Sequence, residues 1–213
     1  MRKIGLFASV HQADILAEAG WSENNNVELF DKFAPDIICG EVRKEDYNSK
    51  SNYQGPGEYK RYIFDYCKAR NIRFVPCDWF DDQTISATQK GELADADDEI
   101  IAQFDSIVEQ YLTVGKNSCI PYNSHQFNAL VKKKQELQNT ANPHLHKIIW
   151  TERNDNIVKN IYTAITENPD SNILIVFGAE HIYYIKDELE KLIGDIIIFP
   201  LENCKQKIDK VKE

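Results

Sequence analysis

The feature that most constrains this chain is a set of short, nearly uninterrupted apolar runs, at residues 4–10 (IGLFASV), 36–40 (DIICG), 73–77 (RFVPC) and 173–177 (ILIVF), set apart by segments of helical periodicity. A strand covered on both faces needs no alternation with polar residues, so such runs are expected of parallel strands sandwiched between helices. Between the first two runs, Val27, Leu29, Phe30 and Phe33 fall on helical spacing and Pro35 closes the segment, the rhythm of a β-α-β unit. A helix over about 58–70 leads into the third run. The stripe Ile157, Val158, Ile161 and Ile165 stops near Asn168-Pro169 before the fourth. A further helix carrying Ile182, Ile185, Leu189 and Leu192 precedes a last strand at 196–199.

The expected fold is therefore α/β, a mainly parallel central sheet flanked by helices. Residues from about 93 to 145 carry no strand signal. They do show helical spacing at Ile100, Phe104, Ile107, Val108 and Tyr111 and again at Phe127, Leu130, Val131 and Leu137, so an inserted helical segment is expected there. The run Lys132-Lys133-Lys134 within it reads as a solvated helix face. A length of 213 residues suits one domain spanning 1–213.

A formal charge of −9 repels phosphate backbones and anionic lipid at long range, which argues against nucleic acid as a partner. No apolar stretch reaches the length of a membrane span. The five cysteines, Cys39, Cys67, Cys77, Cys119 and Cys204, form no C-x-x-C pair and are expected as buried thiols in a reducing cytoplasm. The basic start Met1-Arg2-Lys3 and the apolar run behind it resemble a signal peptide, but His11, Gln12 and Asp14 follow at once without a small-residue cleavage site, and the run is needed as the first strand; a cytoplasmic location is expected. No glycine-rich nucleotide loop is present.

Each of the four runs ends in a polar group: His11, Glu41, Asp78 and, three residues past the fourth, His181. Ligands of open parallel sheets bind outside the carboxyl ends of the strands, so these residues are expected to meet in one cleft. Singly, each is more often a helix cap or a hydrogen-bonded structural residue; four together favour a site. His181 lies one turn before Ile185 at the start of a helix, where the dipole disfavours imidazolium and keeps the ring neutral. Two histidines with one or two carboxylates suit a divalent metal such as manganese, cobalt or zinc, with His11, Glu41, His181 and Asp78 as its ligands and a bound water as nucleophile. The Asn- and Tyr-rich stretch 45–57 directly after Glu41 is expected as a loop covering that cleft.

Thr151-Glu152-Arg153-Asn154 ahead of an amphipathic helix, a hydrophobic strand and then Gly178-Ala179-Glu180-His181 resembles the C-terminal signature of the TraB/Tiki superfamily, which includes the erythromycin-esterase and ChaN-like proteins. Ala8-Ser9-Val10-His11 matches the family's N-terminal G-x-x-H with Ala for Gly, and Glu41 matches its second-strand glutamate. The resemblance covers the first 80 residues or so and 150–193, not the helical middle. It implies an α/β fold with two histidines and an acidic residue at the site, in a family holding metal-dependent proteases, esterases and haem binders.

The function expected is hydrolysis of a small-molecule or peptide substrate. His11 and His181 are read as ligands or as base and orienting group, Glu41 as ligand or general base, and Arg153 as an oxyanion clamp or, alternatively, as the ion-pair partner of Glu152 or Asp155. The other reading is a non-catalytic protein that holds a small ligand, peptide or haem in the same cleft, where Tyr47, Tyr53, Tyr59, His125, His144 and His146 would contact it.

Overall fold

The computed structural model describes residues 2–49, 55–88, 93, 96–194 and 197–201. Strands β1 (Ile4–Ser9), β2 (Ile37–Gly40), β3 (Arg73–Pro76), β4 (Ile173–Gly178) and β5 (Ile197–Ile198) form one sheet in the order β3-β2-β4-β1-β5, every pairing parallel. The helices are α1 (Ala13–Glu18), α2 (Glu23–Phe33), α3 (Lys44–Asn48), α4 (Phe64–Ala69), α5 (Asp82–Thr88), α6 (Asp98–Asn117), α7 (His125–Ala141), α8 (Pro143–His146), α9 (Glu152–Glu167) and α10 (Ile182–Leu192). Two π-helical turns, Tyr59–Ile63 and Lys147–Thr151, run directly into α4 and α9.

Helices cover both faces of the sheet. On one, Leu29, Phe30 and Phe33 of α2 and Tyr66 and Cys67 of α4 pack on Phe7, Ile38, Leu174 and Val176. On the other, Ile157, Ile161 and Ile165 of α9 and Ile185 and Leu189 of α10 pack on Ile4, Leu6, Ile37, Cys39, Ile173, Ile175 and Phe177. Successive residues of β4 thus enter opposite cores, which is why the run is apolar at every position. Burying each such side chain contributes about 1.5–3 kcal/mol against its exposure.

Gly40 shows how tightly the sheet closes near the site. A Cβ there would lie 2.5 Å from the Phe74 ring and 2.6 Å from the Tyr59 ring. The missing side chain lets the Tyr59 hydroxyl accept from the Glu41 N–H at 2.7 Å and donate to the Val176 carbonyl at 2.7 Å, tying the ends of β2 and β4 together. Gly40→Ala is expected to cost about 1–3 kcal/mol through overpacking, read as a lower midpoint in urea; an unchanged midpoint would show that both rings yield freely.

The inserted helices stack beside α10, with α7 packed on α6, α8 and α10. A third cluster, Tyr122, Phe127, Val131, Trp150 and Tyr183, closes over the carboxyl end of the sheet. Beyond Gly5, β1 has no further β5 residue beside it. At Ala8 the side chain of Asn123 takes the place of a strand, accepting from the backbone N–H at 2.7 Å and donating to the carbonyl at 3.0 Å.

Four expectations need correction. The stretch after Glu41 begins as α3, with Tyr47 packed on Phe64 and Phe74; of this stretch, residues 50–54, with Tyr53, lie outside the described residues. Residues 143–146 are helical because the Asn142 side chain accepts the Leu145 N–H at 3.0 Å, and Pro143 suits the first helical turn. Lys134 is 4% exposed and pairs with Glu180, so the lysine run is solvated only in part. Cys39, Cys67 and Cys77 are free and buried, but Cys119 is disulfide-bonded; Cys204 lies outside the described residues. Among the described residues no helix is long and apolar enough to cross a membrane.

Candidate functional site

Because β2, β4 and β1 are adjacent, the residues that follow them meet at one edge of the sheet. His11, Glu41, Arg153 and His181 line a single cleft of about 390 Å³, whose far walls come from Tyr111, Tyr122, Phe127, Gln135 and Trp150. Gly178 lies at its floor. A Cβ there would sit 2.8 Å from Glu41 Oε2 and 3.0 Å from His11 Nε2, so only glycine lets carboxylate and imidazole close over the strand end. Ala8, the counterpart of Gly178 in motif spacing, lies one residue earlier in the sheet, beside Phe177, and is buried in the core shared with α9 and α10.

Glu41 is the hub. Its side chain is 4% exposed, its Oε2 accepts the Gly178 N–H at 2.6 Å, and its Oε1 accepts an N–H of Arg153 at 3.0 Å. Arg153 also grips Asp78, its Nε and Nη2 each donating at 3.0 Å to a separate carboxylate oxygen. The partners of Arg153 are thus Asp78 and Glu41, not the neighbouring Glu152 or Asp155. Burial raises the Asp78 pKa despite the opposing Arg153 charge. Phe80 carries the guanidinium of Arg153 5.6 Å from its ring centroid and that of Arg43 at 4.0 Å.

The two histidines are held in opposite states. His181 stacks on Trp150 with centroids 5.0 Å apart and planes 8° from parallel, and Phe177 meets its ring at 74°. Asn154 donates its amide to the Trp150 carbonyl at 2.8 Å, which leaves its oxygen, 2.7 Å from His181 Nδ1, as an acceptor. His181 therefore carries its proton on Nδ1 and offers the lone pair of Nε2, 3.6 Å from Glu41 Oε1. Burial, then the charge of Arg153, holds its pKa well below 6.5.

His11 is 41% exposed, with Nδ1 2.8 Å from Glu58 Oε1 and Nε2 3.8 Å from Glu41 Oε2. Burial pulls its pKa down, but the Glu58 hydrogen bond and the charges of Glu41 and Glu58 outweigh this and raise it to about 9. Below that pH the ring is an imidazolium. Glu58 was not among the residues singled out by sequence, because it follows no strand. Burial raises its pKa, yet the bond and charge of His11 prevail and hold it below the usual carboxylate value.

The donor set does not fit a resident manganese, cobalt or zinc ion. Among the described residues no group of three or more His, Cys, Asp or Glu side chains is arranged to hold one. Asp78 turns both oxygens to Arg153, Glu41 already serves Arg153 and Gly178, and His11 gives its Nδ1 to Glu58. The cation between the carboxylates is the guanidinium itself, and a metal ion would have to displace it.

Of the side chains proposed for a binding-only cleft, the described ones stand elsewhere. Tyr47 lines a separate cavity of about 430 Å³ beside β3. Tyr59 is fully buried, His125 packs on Phe199, His144 is exposed, and His146 lies 3.2 Å from Gln135 Oε1. No described residue of 45–57 lines the main cleft, so the expected covering loop is not seen in its described part. No protein-family model matches the chain, and no characterised protein matches it.

Proposed function

We propose that the cleft is the active site of a hydrolase that cleaves an ester or amide of a small molecule or short peptide, without a resident metal. One observation carries this reading: two histidines flank the same fixed carboxylate, His181 at 3.6 Å with its Nδ1 bonded to the Asn154 oxygen, and His11 at 3.8 Å with its Nδ1 bonded to Glu58. Burial holds the first neutral, and the Glu58 carboxylate favours the charged form of the second. Environments that drive two titratable groups apart assign the base and the acid.

In this reading a water donates to His181 Nε2 and Glu41 Oε1. As its oxygen bonds to the substrate carbonyl carbon, a proton passes to His181 and the carbonyl electron pair moves onto oxygen, where Arg153 and the His11 imidazolium offset the charge. Collapse breaks the bond to the leaving group, which takes the proton from His11. Solvent then restores both rings. The aromatic walls and the half-buried Glu180, held by Lys134 at 2.7 and 2.8 Å, fit a substrate with an apolar body and a few hydrogen-bonding groups. The reading agrees with the resemblance to the TraB/Tiki superfamily, to which we assign the chain on the same motifs.

The test is turnover of p-nitrophenyl esters and aminoacyl p-nitroanilides, with EDTA and with added manganese, cobalt or zinc. We expect kcat/KM to be level through neutrality, to fall as pH rises through about 9 when His11 loses its proton, and to be unaffected by chelator. The same group ties stability to pH. Its folded pKa is raised from 6.5 to about 9, so its contribution is complete below 6.5 and is lost between 6.5 and 9. Solvent screening keeps that contribution small for a ring 41% exposed. Binding of such compounds without turnover would establish the non-catalytic reading instead, and dependence on metal would overturn the role given to Arg153.

A further inference from the structure

We propose that Glu58 is the positioning residue of this site, a buried carboxylate that fixes the His11 ring with Nδ1 turned inward and Nε2 facing the cleft and keeps that ring a proton donor. The proposal rests on the reading of His11 as the acid and extends it to a residue outside the cleft lining.

Glu58 stands at the entry to the π-helical turn Tyr59–Ile63 and is 1% exposed. Its Oε1 takes two donors at once, His11 Nδ1 at 2.8 Å and the Ser9 hydroxyl at 2.7 Å. Ser9 ends β1 and His11 lies two residues on, so one carboxylate oxygen locks both the strand end and the ring that leaves it. Its Oε2 is buried with no hydrogen-bond partner among the described residues. A carboxylate so placed is unfavourable as packing alone. A glutamine there would accept from both the Ser9 hydroxyl and a neutral His11 N–H, keeping the shape and the bonds. What glutamine would not supply is the negative charge, and that is what a proton-donating His11 requires.

The charged groups around His11 come from three directions. Glu58 lies behind Nδ1, Glu41 after β2 lies 3.8 Å from Nε2, and Arg153 on α9 opposes protonation. Arg61, on the π-helical turn that Glu58 leads into, donates to the His11 carbonyl at 3.1 Å and holds the backbone rather than the ring. With Glu58 neutral, Glu41 would be the one anion among the described residues to offset both burial and Arg153.

The experiment is an NMR titration of the histidine rings in the full chain, for wild type, Glu58→Gln and Ser9→Ala, beside the pH profile of p-nitrophenyl ester cleavage. In Glu58→Gln the His11 midpoint is expected to fall by about one pH unit or more, with the alkaline limb of kcat/KM moving down equally and His181 unshifted. Ser9→Ala removes the competing donor, and there the His11 midpoint should hold or rise. A folded Glu58→Gln with an unmoved His11 midpoint overturns the proposal, as does a fall in Ser9→Ala, which also decides the matter should Glu58→Gln fail to fold. If His11 shifts as expected while no ester or anilide is cleaved, the positioning role stands and the hydrolase reading fails.

Discussion

Replacing Arg153 with methionine is expected to lower folding stability by about 3–5 kcal/mol near neutral pH, since it leaves two buried carboxylates without their cation. Glu41 and Asp78 are each 4% exposed, and Arg153 supplies three of their hydrogen bonds, each of 3.0 Å. Methionine preserves much of the side-chain volume, so the loss is electrostatic rather than a cavity. The deficit has a definite pH dependence. Asp78 already has a raised pKa through burial, and without the guanidinium it rises further. A carboxyl whose folded pKa lies above its unfolded value takes up a proton on folding, so the variant loses stability as pH rises from the unfolded value through the folded one. Urea unfolding at pH 5 and pH 8 should therefore show the larger deficit at pH 8. A loss under about 1 kcal/mol at pH 8, or equal losses at both pH values, would mean that solvent reaches the pair well enough to replace Arg153.

The strand ends were legible because a doubly covered parallel strand must be apolar throughout, which makes the first polar residue after it conspicuous. His11, Glu41 and His181 were found that way, and their convergence follows from the β2-β4-β1 adjacency. The partners of Arg153 were not legible, since they lie 75 and 112 residues away in sequence and local charge patterning pointed to Glu152 and Asp155. The metal expectation rests on the acceptors alone, and the guanidinium that bonds Glu41 and Asp78 comes from a segment distant from both in sequence.

Glu58 and Asn123 have no strand end before them to mark them. Glu58 opens a helical turn and Asn123 lies on the irregular backbone just ahead of α7, so in neither case do periodic neighbours show the residue to face inward. Lys134 could have been read correctly: Phe127, Val131, Lys134, Gln135 and Gln138 recur at three- and four-residue steps and all are buried, so the middle of α7 turns one lysine of the three inward. Its ammonium bonds Glu180 and lies 5.8 Å from the Tyr111 ring centroid, and the charge of this buried lysine helps hold the pKa of His181 down.

Glu41→Gln is expected to leave the chain folded and to reduce kcat/KM tenfold or more, a loss of about 1.4 kcal/mol or greater in transition-state stabilisation. The carboxylate accepts the Gly178 N–H at 2.6 Å with one oxygen and the Arg153 N–H at 3.0 Å with the other. A glutamine has one oxygen to offer, so one of these donors will face its NH2 group, and a lower melting temperature is expected as well. Stability alone therefore does not identify the role of the residue, whereas the shape of the pH profile does. Without the Glu41 charge, His11 keeps Glu58 as its one anionic partner among the described residues, so the alkaline limb of the remaining activity should move to lower pH. His181 loses the acceptor with which it shares the attacking water. Were Glu41 only a structural link between Arg153 and the end of β4, the variant would melt earlier yet turn over at the wild-type rate below its melting point, with the alkaline limb unmoved. That result would remove Glu41 from the chemistry and leave the two histidines to account for it alone.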